Sequence, residues 1–379
     1  MKANIRRAAT ILVCMTVLAH TVYLQPRGRV RSLRSRQLYK VVNNDNRVGF
    51  IDNTGKLVIG FDRLPKETVA VRDFHDGRAV IYLNKETPDE SKGNMNYTVG
   101  YIDTTGKIII PARFEEAYDF SEGLAHVKGE GLNGFINPQG EVVIRLKEDM
   151  WPILDWLSYG FHEGFAAVGG ESAGFIDRSG KFVFKGYTWA ASFSEGLAAV
   201  AVGRGKEARY GFVNKKGEMV IKPRFEPLFR SHKQIRSLSR FSEGLASVKV
   251  GDVYGYIDKK GEFVIPPKFL FANDFSEGLA CARLGDKTGY INKSGRWVIA
   301  PWVAPYMGGQ FKEGLAPVSF GDAGGSAYID RTGRVIIRGA GHEFVGGVAA
   351  VDGLPSSHLA PESGRGYIDK TGKYLWRPQ

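Results

Sequence analysis

The stretch GYIDKKGEFVIPPKF (255–269), followed by FSEGLACA (275–282), decides the fold because both of its parts recur along the chain. The first part, which we call the hairpin motif, consists of Gly, an aromatic residue, Ile or Val, Asp or Asn, two variable residues, Gly, a charged residue and three mostly apolar residues. Its nine copies lie at 49–59, 100–110, 134–144, 174–184, 211–221, 255–265, 289–299, 327–337 and 366–376. An Asp or Asn that can cap a turn, followed by a glycine that accepts positive φ between apolar runs, predicts a β-hairpin.

The second part, which we call the second motif, consists of Phe, a variable residue, an acidic residue, Gly and an apolar stretch. The acidic residue is replaced only in the last copy. Its eight copies lie at 74–81, 120–127, 161–168, 193–200, 241–248, 275–282, 311–318 and 344–351. An alanine stands two residues after the glycine in every copy, and the next apolar residue of that face follows two residues later. This period of two predicts a strand with one fixed, small face against which another unit packs closely.

Together the two parts predict an all-β array of about nine three-stranded antiparallel β-hairpin units over residues 38–379. The spacing of the turn glycines, 34 to 51 residues, resembles that of propeller blades, which take about 40 to 45 residues each. Nine units nevertheless exceed the usual range of about four to eight blades, so we expect an open solenoid rather than a closed propeller. A lone strand LYKVV (38–42) and a final hairpin at Trp376 leave open that the two termini complete one unit and close a ring.

The N-terminus carries a different kind of signal. Lys2, Arg6 and Arg7 precede an apolar run over 8–24, which predicts that residues 1–24 are a signal peptide or a membrane anchor. Residues 25–37 form a basic linker whose arginines oppose translocation, so an inverted anchor or an organelle presequence stays open. We expect the protein to be exported to the periplasm, cell envelope or medium, or anchored by this single segment, which makes a membrane a possible partner.

The net charge of +12 arises largely at this end of the chain. Nine of the 52 basic residues and none of the 40 acidic residues lie within 1–44, which leaves 43 basic and 40 acidic residues beyond it. Because a protein that binds polyanions tightly concentrates basic residues on one face, we do not expect nucleic acid as a partner.

The recurrent acids invite a search for catalysis, but they occur once per unit at fixed places, as expected of turn residues. The seven histidines form no HExxH motif and no Cys–His metal spacing. We therefore expect no enzyme activity, no catalytic residue, no metal site and no cofactor. A pair of carboxylates that meet across two units, as in glycoside hydrolysis, is the alternative left open.

Two irregular segments are the candidate partner-binding regions. WPILDWLSYGF (151–161) places Trp151 and Trp156 outside the regular strands, where aromatic side chains often anchor partners, although they could equally cover an edge of the array. The enlarged connection 226–240 is basic and can contact anionic lipid, nucleic acid or an acidic partner, or remain a solvated loop. Its candidate residues are Arg230, Lys233, Arg236 and Arg240.

With both motifs, residues 38–379 resemble the WG-containing β-repeat family. The tryptophan that gives the family its name precedes the first glycine of each unit, and this chain replaces it at Val48, Val99, Asn133, Ala173, Tyr210, Tyr254, Thr288, Ser326 and Arg365. The resemblance implies an interaction or scaffold role and no shared enzymatic activity. We therefore expect a noncatalytic scaffold that binds another protein in the cell envelope or secreted space. The alternative is a carbohydrate or cell-wall binding module that uses loop aromatics.

Overall fold

A computed structural model describes residues 37–85, 97–153, 160–227, 229–231, 234–237, 239–303, 308–320, 325–339, 341–351 and 366–377. The predicted signal or anchor segment and all but the last residue of the basic linker lie outside these residues. No helix of the described residues is long and apolar enough to cross a membrane.

In the described residues, nine small antiparallel sheets of three to five strands follow one another along the chain, and we call them blades 1 to 9. Blade 1 contains β1 (Tyr39–Val42), β2 (Val48–Ile51) and β3 (Leu57–Ile59); blade 2 contains β4 (Thr68–Val71), β5 (Arg78–Asn84), β6 (Tyr97–Asp103) and β7 (Ile108–Phe114); blade 3 contains β8 (Glu116–Ala117), β9 (Ala125–Gly129), β10 (Leu132–Ile136) and β11 (Val142–Arg145).

The middle of the chain continues this order and adds one insertion. Blade 4 contains β12 (Trp151–Pro152), β13 (Phe161–His162), β14 (Phe165–Gly169), β15 (Ala173–Ile176) and β16 (Phe182–Tyr187); blade 5 contains β17 (Trp189–Ala190), β18 (Leu197–Val202), β19 (Arg209–Asn214) and β20 (Met219–Phe225). A short 3-10 helix, Gly205–Glu207, precedes β19. Among the described residues, the strands β21 (Phe229–Ser231) and β22 (Gln234–Ser237) pair with each other and with no blade, and they form an inserted hairpin.

The last four blades complete the array. Blade 6 contains β23 (Ala246–Val250), β24 (Val253–Ile257) and β25 (Phe263–Phe269); blade 7 contains β26 (Phe271–Ala272), β27 (Leu279–Leu284), β28 (Lys287–Asn292) and β29 (Trp297–Val303); blade 8 contains β30 (Leu315–Ser319), β31 (Ser326–Asp330) and β32 (Val335–Arg338); blade 9 contains β33 (Val348–Val351), β34 (Gly366–Asp369) and β35 (Tyr374–Trp376).

The hairpin turns have the predicted chemistry. In blade 6, Asp258 Oδ1 accepts hydrogen bonds from Lys260 N at 2.9 Å and Glu262 N at 3.0 Å, and Gly261 has φ of +87°. The same pair of bonds to an Asp or Asn oxygen occurs at all nine turns. The β-hairpin prediction is therefore confirmed, and these acids and amides cap turns.

Each turn glycine also lies against the last strand of the preceding blade. A Cβ added to Gly295 in blade 7 would stand 3.0 Å from Ile265 Cγ2 in blade 6. The same relation joins every successive pair of blades, and Gly55 of blade 1 meets the carbonyl of Leu375 in blade 9. The turns therefore set how closely adjacent blades approach, and the last of these contacts joins the two ends of the array.

We expect Gly295→Ala to destabilise the protein by about 2 to 3 kcal/mol, because it adds a clash with Ile265 to the cost of a positive φ. The matched control is Gly285→Ala, at φ +62° with nothing within 4 Å of the added Cβ, which we expect to cost about 1 kcal/mol. Urea unfolding of both variants measures the difference. Equal costs would show that the contact with Ile265 contributes nothing.

Nine aromatic pairs join consecutive blades. In eight of them, the aromatic residue of one hairpin motif packs against the Phe that begins the second motif of the next blade, as Tyr256 does against Phe275 at a ring separation of 4.8 Å. The other pairs are Phe50–Phe74, Tyr101–Phe120, Phe135–Phe161, Phe175–Phe193, Phe212–Phe241, Tyr290–Phe311, Tyr328–Phe344 and Tyr367–Tyr39. The ninth pair joins blade 9 to blade 1.

The array is a closed nine-bladed propeller, so the preference for an open solenoid was wrong. Across the closure, Tyr39 donates a hydrogen bond to Val345 O at 2.6 Å, and Tyr367 donates one to Lys40 O at 2.5 Å. The termini do not share a unit, because β1 belongs to blade 1 and β35 to blade 9. The usual number of blades misled the prediction, since closure depends on the angle between neighbouring blades, which packing between blades sets.

The number of strands per unit was also wrong for five blades. Blades 2, 3, 4, 5 and 7 begin with an additional strand, which has only two residues in four of them. Within the part of the chain that the structure describes, blades 6 and 8 have a single bridging pair at this place, Glu226↔Lys249 and Gly308↔Val318. Two residues cannot display a period of two, so the sequence pattern could not reveal these strands. The fixed alanines lie in the core as predicted, each at most 1% exposed.

Candidate functional site

The repeated glutamates lie in an unusual backbone conformation. In blade 6, Ser242 and Leu245 exchange two backbone hydrogen bonds around Glu243 and Gly244, whose φ angles are +53° and +86°. A two-residue turn with both φ angles positive favours Asn, Asp or Gly, and a glutamate there is strained. The glutamate must therefore be required for its carboxylate.

That carboxylate binds the next blade. Glu243 Oε2 accepts a hydrogen bond from Gly278 N at 2.9 Å and lies 3.2 Å from Lys293 Nζ, both in blade 7. Seven such bonds of 2.9 to 3.1 Å occur around the ring. Their acceptor and donor residues are Asp76 and Gly123, Glu122 and Gly164, Glu163 and Gly196, Glu195 and Gly244, Glu243 and Gly278, Glu277 and Gly314, and Glu313 and Gly347.

The sequence contains a signal for these contacts between blades, although they were not among the predictions. The residue after the hairpin Asp or Asn is basic in blades 4 to 9, and in each case the preceding blade carries a glutamate in its second motif. These basic residues are Arg178, Lys215, Lys259, Lys293, Arg331 and Lys370. Five of them form ion pairs of 4.0 Å or less with that glutamate. In blades 1 to 3, Asn53, Thr104 and Pro138 stand there instead, and no glutamate precedes them.

These links predict a loss of stability in acid. Burial raises the pKa of Glu243, but hydrogen bonds from Lys293 and from the Gly278 and Glu277 N–H groups lower it by more, and the net shift is below the usual 4.5. The pKa values of Glu163 and Glu313 are lowered in the same way. A carboxylate with a lowered pKa contributes stability that is complete above its unfolded pKa and is lost as the pH falls through the folded one.

We therefore expect the stability advantage of the wild type over Glu243→Gln to be constant from pH 7 down to about 5 and to shrink below about 4.5. Thermal unfolding across this range measures it. Glu148→Gln is the control, since Glu148 is exposed, lies in the connection after β11 and forms no ion pair with another described residue. An advantage independent of pH would contradict the proposed role of the ionised carboxylate.

Most of the residues that stand where the family has its tryptophan are buried in this chain. Five of these residues are at most 5% exposed, namely Val99, Asn133, Ala173, Tyr210 and Thr288. Asn133 Nδ2 donates to Lys147 O and Met150 O, and its Oδ1 lies 2.9 Å from His126 Nε2. Arg365 lies outside the described residues. The five buried residues therefore fill the cores of their blades, whereas Val48, Tyr254 and Ser326 are half-buried.

Two buried titratable groups are held neutral. Burial raises the pKa of the Cys281 thiol to about 12, and burial lowers the pKa of His126. A thiol that stays protonated is a poor nucleophile. Among the described residues, no group of three or more His, Cys, Asp or Glu side chains could hold a metal ion.

Trp151 lies at the mouth of a cavity of about 780 Å³ between blades 4 and 5. It begins β12, pairs with Gly169, and is 54% exposed. The cavity is further lined by Tyr187 and Trp189, from the junction of the two blades, and by the turns around Gly170 and Arg204. The other predicted tryptophan, Trp156, lies outside the described residues.

The basic segment 226–240 is only partly a loop. Arg230 lies in β21 and Arg236 in β22, within the inserted hairpin between blades 5 and 6, whereas Lys233 lies outside the described residues. Arg240 Nε donates to Asp274 Oδ2 at 2.7 Å, so this arginine, which precedes β23 of blade 6, is linked to the connection between β26 and β27 in blade 7. The structure therefore places Trp151 and Arg240 at separate features, one in the cavity and one in an ion pair.

Comparison with known proteins supports the repeat assignment. The model of the WG containing repeat matches five segments, 100–132, 174–205, 210–228, 254–287 and 289–322. None of the curated proteins matches the chain.

Among solved structures, the chain is similar in fold to a eukaryotic initiation factor, with a TM-score of 0.57 and 12% identity over 90% of this chain and 95% of that one. Two other similarities are too low to support an argument. A protein of unknown function from Bacteroides caccae has a TM-score of 0.27 and 15% identity over 64% of this chain and 89% of its own. The WD40 β-propeller domain of Doa1 has a TM-score of 0.30 and 10% identity over 65% and 86%.

Proposed function

The chain belongs to the WG-containing repeat family, and from this premise we propose that it is a noncatalytic scaffold that binds an acidic protein partner. A propeller built from repeats is consistent with an interaction scaffold. A rigid ring of blades holds its inserted segments in fixed positions, as binding loops require.

The inserted hairpin β21–β22 carries the proposal. It forms its own two-stranded sheet and belongs to no blade. Its sequence from Phe229 to Ser237 contains Arg230, His232, Lys233 and Arg236 and no acid. The glutamates of the second motif already bind neighbouring blades. The inserted hairpin takes no part in these contacts and departs from the repeat in both sequence and backbone. Basic residues on such an insertion favour an acidic protein surface.

The place of action is part of the proposal. The basic and apolar residues 1–24 support export, or anchoring by a single segment, so that the propeller acts in the cell envelope or secreted space. The regular use of acids as turn and blade contacts supports a role without catalysis.

The test is affinity capture from envelope and soluble extracts with the full chain, beside a variant with Arg230→Ala, Lys233→Ala and Arg236→Ala. The matched control removes three positive charges outside the hairpin, with Lys56→Ala, Lys107→Ala and Lys181→Ala, and these three lysines are exposed. We expect one acidic protein to be captured by the wild type and by the control, and lost from the hairpin variant. Capture that is equal in all three, or no specific protein, would count against the proposal.

A further inference from the structure

We propose that the cavity between blades 4 and 5 is a binding site for a neutral saccharide. This inference goes beyond the proposed function, since it involves neither the inserted hairpin nor a protein partner. It rests on the exposed aromatic side chains of the cavity, on the polar groups beside them, and on the balance of charge.

The aromatic wall is built on two blades. Trp151 has the largest exposed fraction of any large apolar side chain in the described residues. A Cβ added to Gly169 would stand 2.8 Å from Trp151 Nε1 and 2.9 Å from Cε2, so the indole lies directly against the glycine backbone. Tyr187 and Trp189 are each only partly buried. An indole supported on one side by backbone and open to solvent elsewhere is a platform for a flat ligand.

Polar groups stand beside this wall. Glu171 and Ser172 come from the turn between β14 and β15, Thr188 from the junction of the blades, and Arg204 from the start of the 3-10 helix. Thr188 Oγ1 donates to Ala201 O at 3.0 Å, which leaves its oxygen able to accept a further bond. Neither Glu171 nor Arg204 forms an ion pair with another described residue, so both can serve a ligand.

Glycines shape the remainder of the cavity. Gly169 is buried against Trp151, whereas Gly170, Gly203 and Gly205 are partly or fully exposed and, without side chains, leave backbone N–H and C=O groups accessible. At about 780 Å³ the cavity lies within the range of small-molecule sites, roughly 300 to 1,000 Å³.

The chemistry of these groups fits a sugar better than the other ligand classes. A pyranose ring has an apolar C–H face, which packs on an aromatic ring, and a rim of hydroxyls, which both donate and accept. The Glu171 carboxylate, the Arg204 guanidinium and the hydroxyls of Ser172 and Thr188 can form hydrogen bonds with these sugar hydroxyls. One acid and one base give the lining no net charge, whereas a phosphate ligand requires an excess of donors. The ligand is therefore a neutral saccharide of a few rings.

Calorimetric titration of the full chain with cellotriose, chitotriose, maltotriose and laminaritriose tests this inference. We expect saturable binding of at least one of them, with a Kd between about 10 µM and 5 mM. We expect Trp151→Ala to weaken this binding by about tenfold or more and Glu171→Gln by a smaller factor. Tyr374→Ala, which removes an exposed aromatic residue in blade 9, should leave the affinity unchanged.

Two results would overturn the inference: no saturable binding of any of the four sugars up to about 10 mM, or binding that Trp151→Ala leaves intact. Because Trp151 is exposed, its loss should not unfold the protein, and an unchanged melting temperature verifies this. The titration contains no protein partner, so its outcome is independent of the capture experiment with the hairpin variant.

Discussion

Tyr39→Ala is expected to destabilise the protein by about 3 to 5 kcal/mol, the range for truncating a large buried aromatic side chain. Tyr39 is 8% exposed and contributes to the closure in two ways, through a ring contact with Tyr367 at 5.9 Å and a hydrogen bond to Val345 O. Burial raises the pKa of its phenol to about 12, so the hydroxyl stays protonated and donates throughout the neutral range.

The sequence around the closure is adapted to this tyrosine. By its pairing with Ile51, Tyr39 occupies the place that the fixed alanine fills in the other blades, where for example Ala246 pairs with Ile257. The facing motif in blade 9 has Gly346 where the other copies have an acid. A Cβ on Gly346 would stand 2.6 Å from the Tyr39 hydroxyl. Between blades 9 and 1, the Tyr39 hydroxyl thus replaces the carboxylate contact found between other blades. Gly346 has no side chain that would collide with this hydroxyl.

A double-mutant cycle between Tyr39→Ala and Tyr367→Ala distinguishes a closed ring from an open array in solution. Residues in contact have coupling energies of about 0.5 to 3 kcal/mol, whereas the ends of an open solenoid would show none. Tyr39→Phe should cost only about 1 kcal/mol, because it removes one hydrogen bond and keeps the ring. Tyr374→Ala in the same blade as Tyr367 serves as the exposed control. Additive effects of the two truncations would refute closure.

Gly211→Ala is the second large effect, with an expected cost of about 3 kcal/mol from overpacking. A Cβ on Gly211 would overlap the carbonyl oxygen of Ile221 and stand 2.8 Å from Pro223 N. These are backbone atoms in β20, which cannot move aside as a side chain could. The register between β19 and β20 shifts at this glycine, and the resulting bulge brings the two backbones together.

Blade 8 supplies the natural control for this effect. Its hairpin motif begins with Ala327 instead of glycine, and the register between β31 and β32 has no shift at that residue. Ala327→Gly should therefore cost about 1 kcal/mol or less, the usual cost of glycine within a strand. Urea unfolding compares the two variants. If Gly211→Ala were as mild as Ala327→Gly, the close approach in blade 5 could not be what selects glycine there.

For the candidate site, the sequence was informative about residue types and much less about their arrangement. It singled out Trp151 as an aromatic residue outside the regular pattern, and Trp151 does line the cavity. It could not point to Tyr187 and Trp189, because their segment resembles the other connections between blades. Arg240 was selected with the basic residues around it, yet it forms an ion pair with Asp274, and that acid lies 34 residues further along the chain.

The sequence by itself determined the hairpins, because each turn depends on bonds between residues no more than four positions apart. Asp258, for example, caps Lys260 and Glu262, and Gly261 supplies the positive φ, all within one motif. Only the tertiary structure decided that nine such units close into a ring and that a cavity opens between blades 4 and 5. Closure depends on contacts such as Tyr39 with Val345, separated by 306 residues, and no local pattern encodes the angle between packed blades that brings them together.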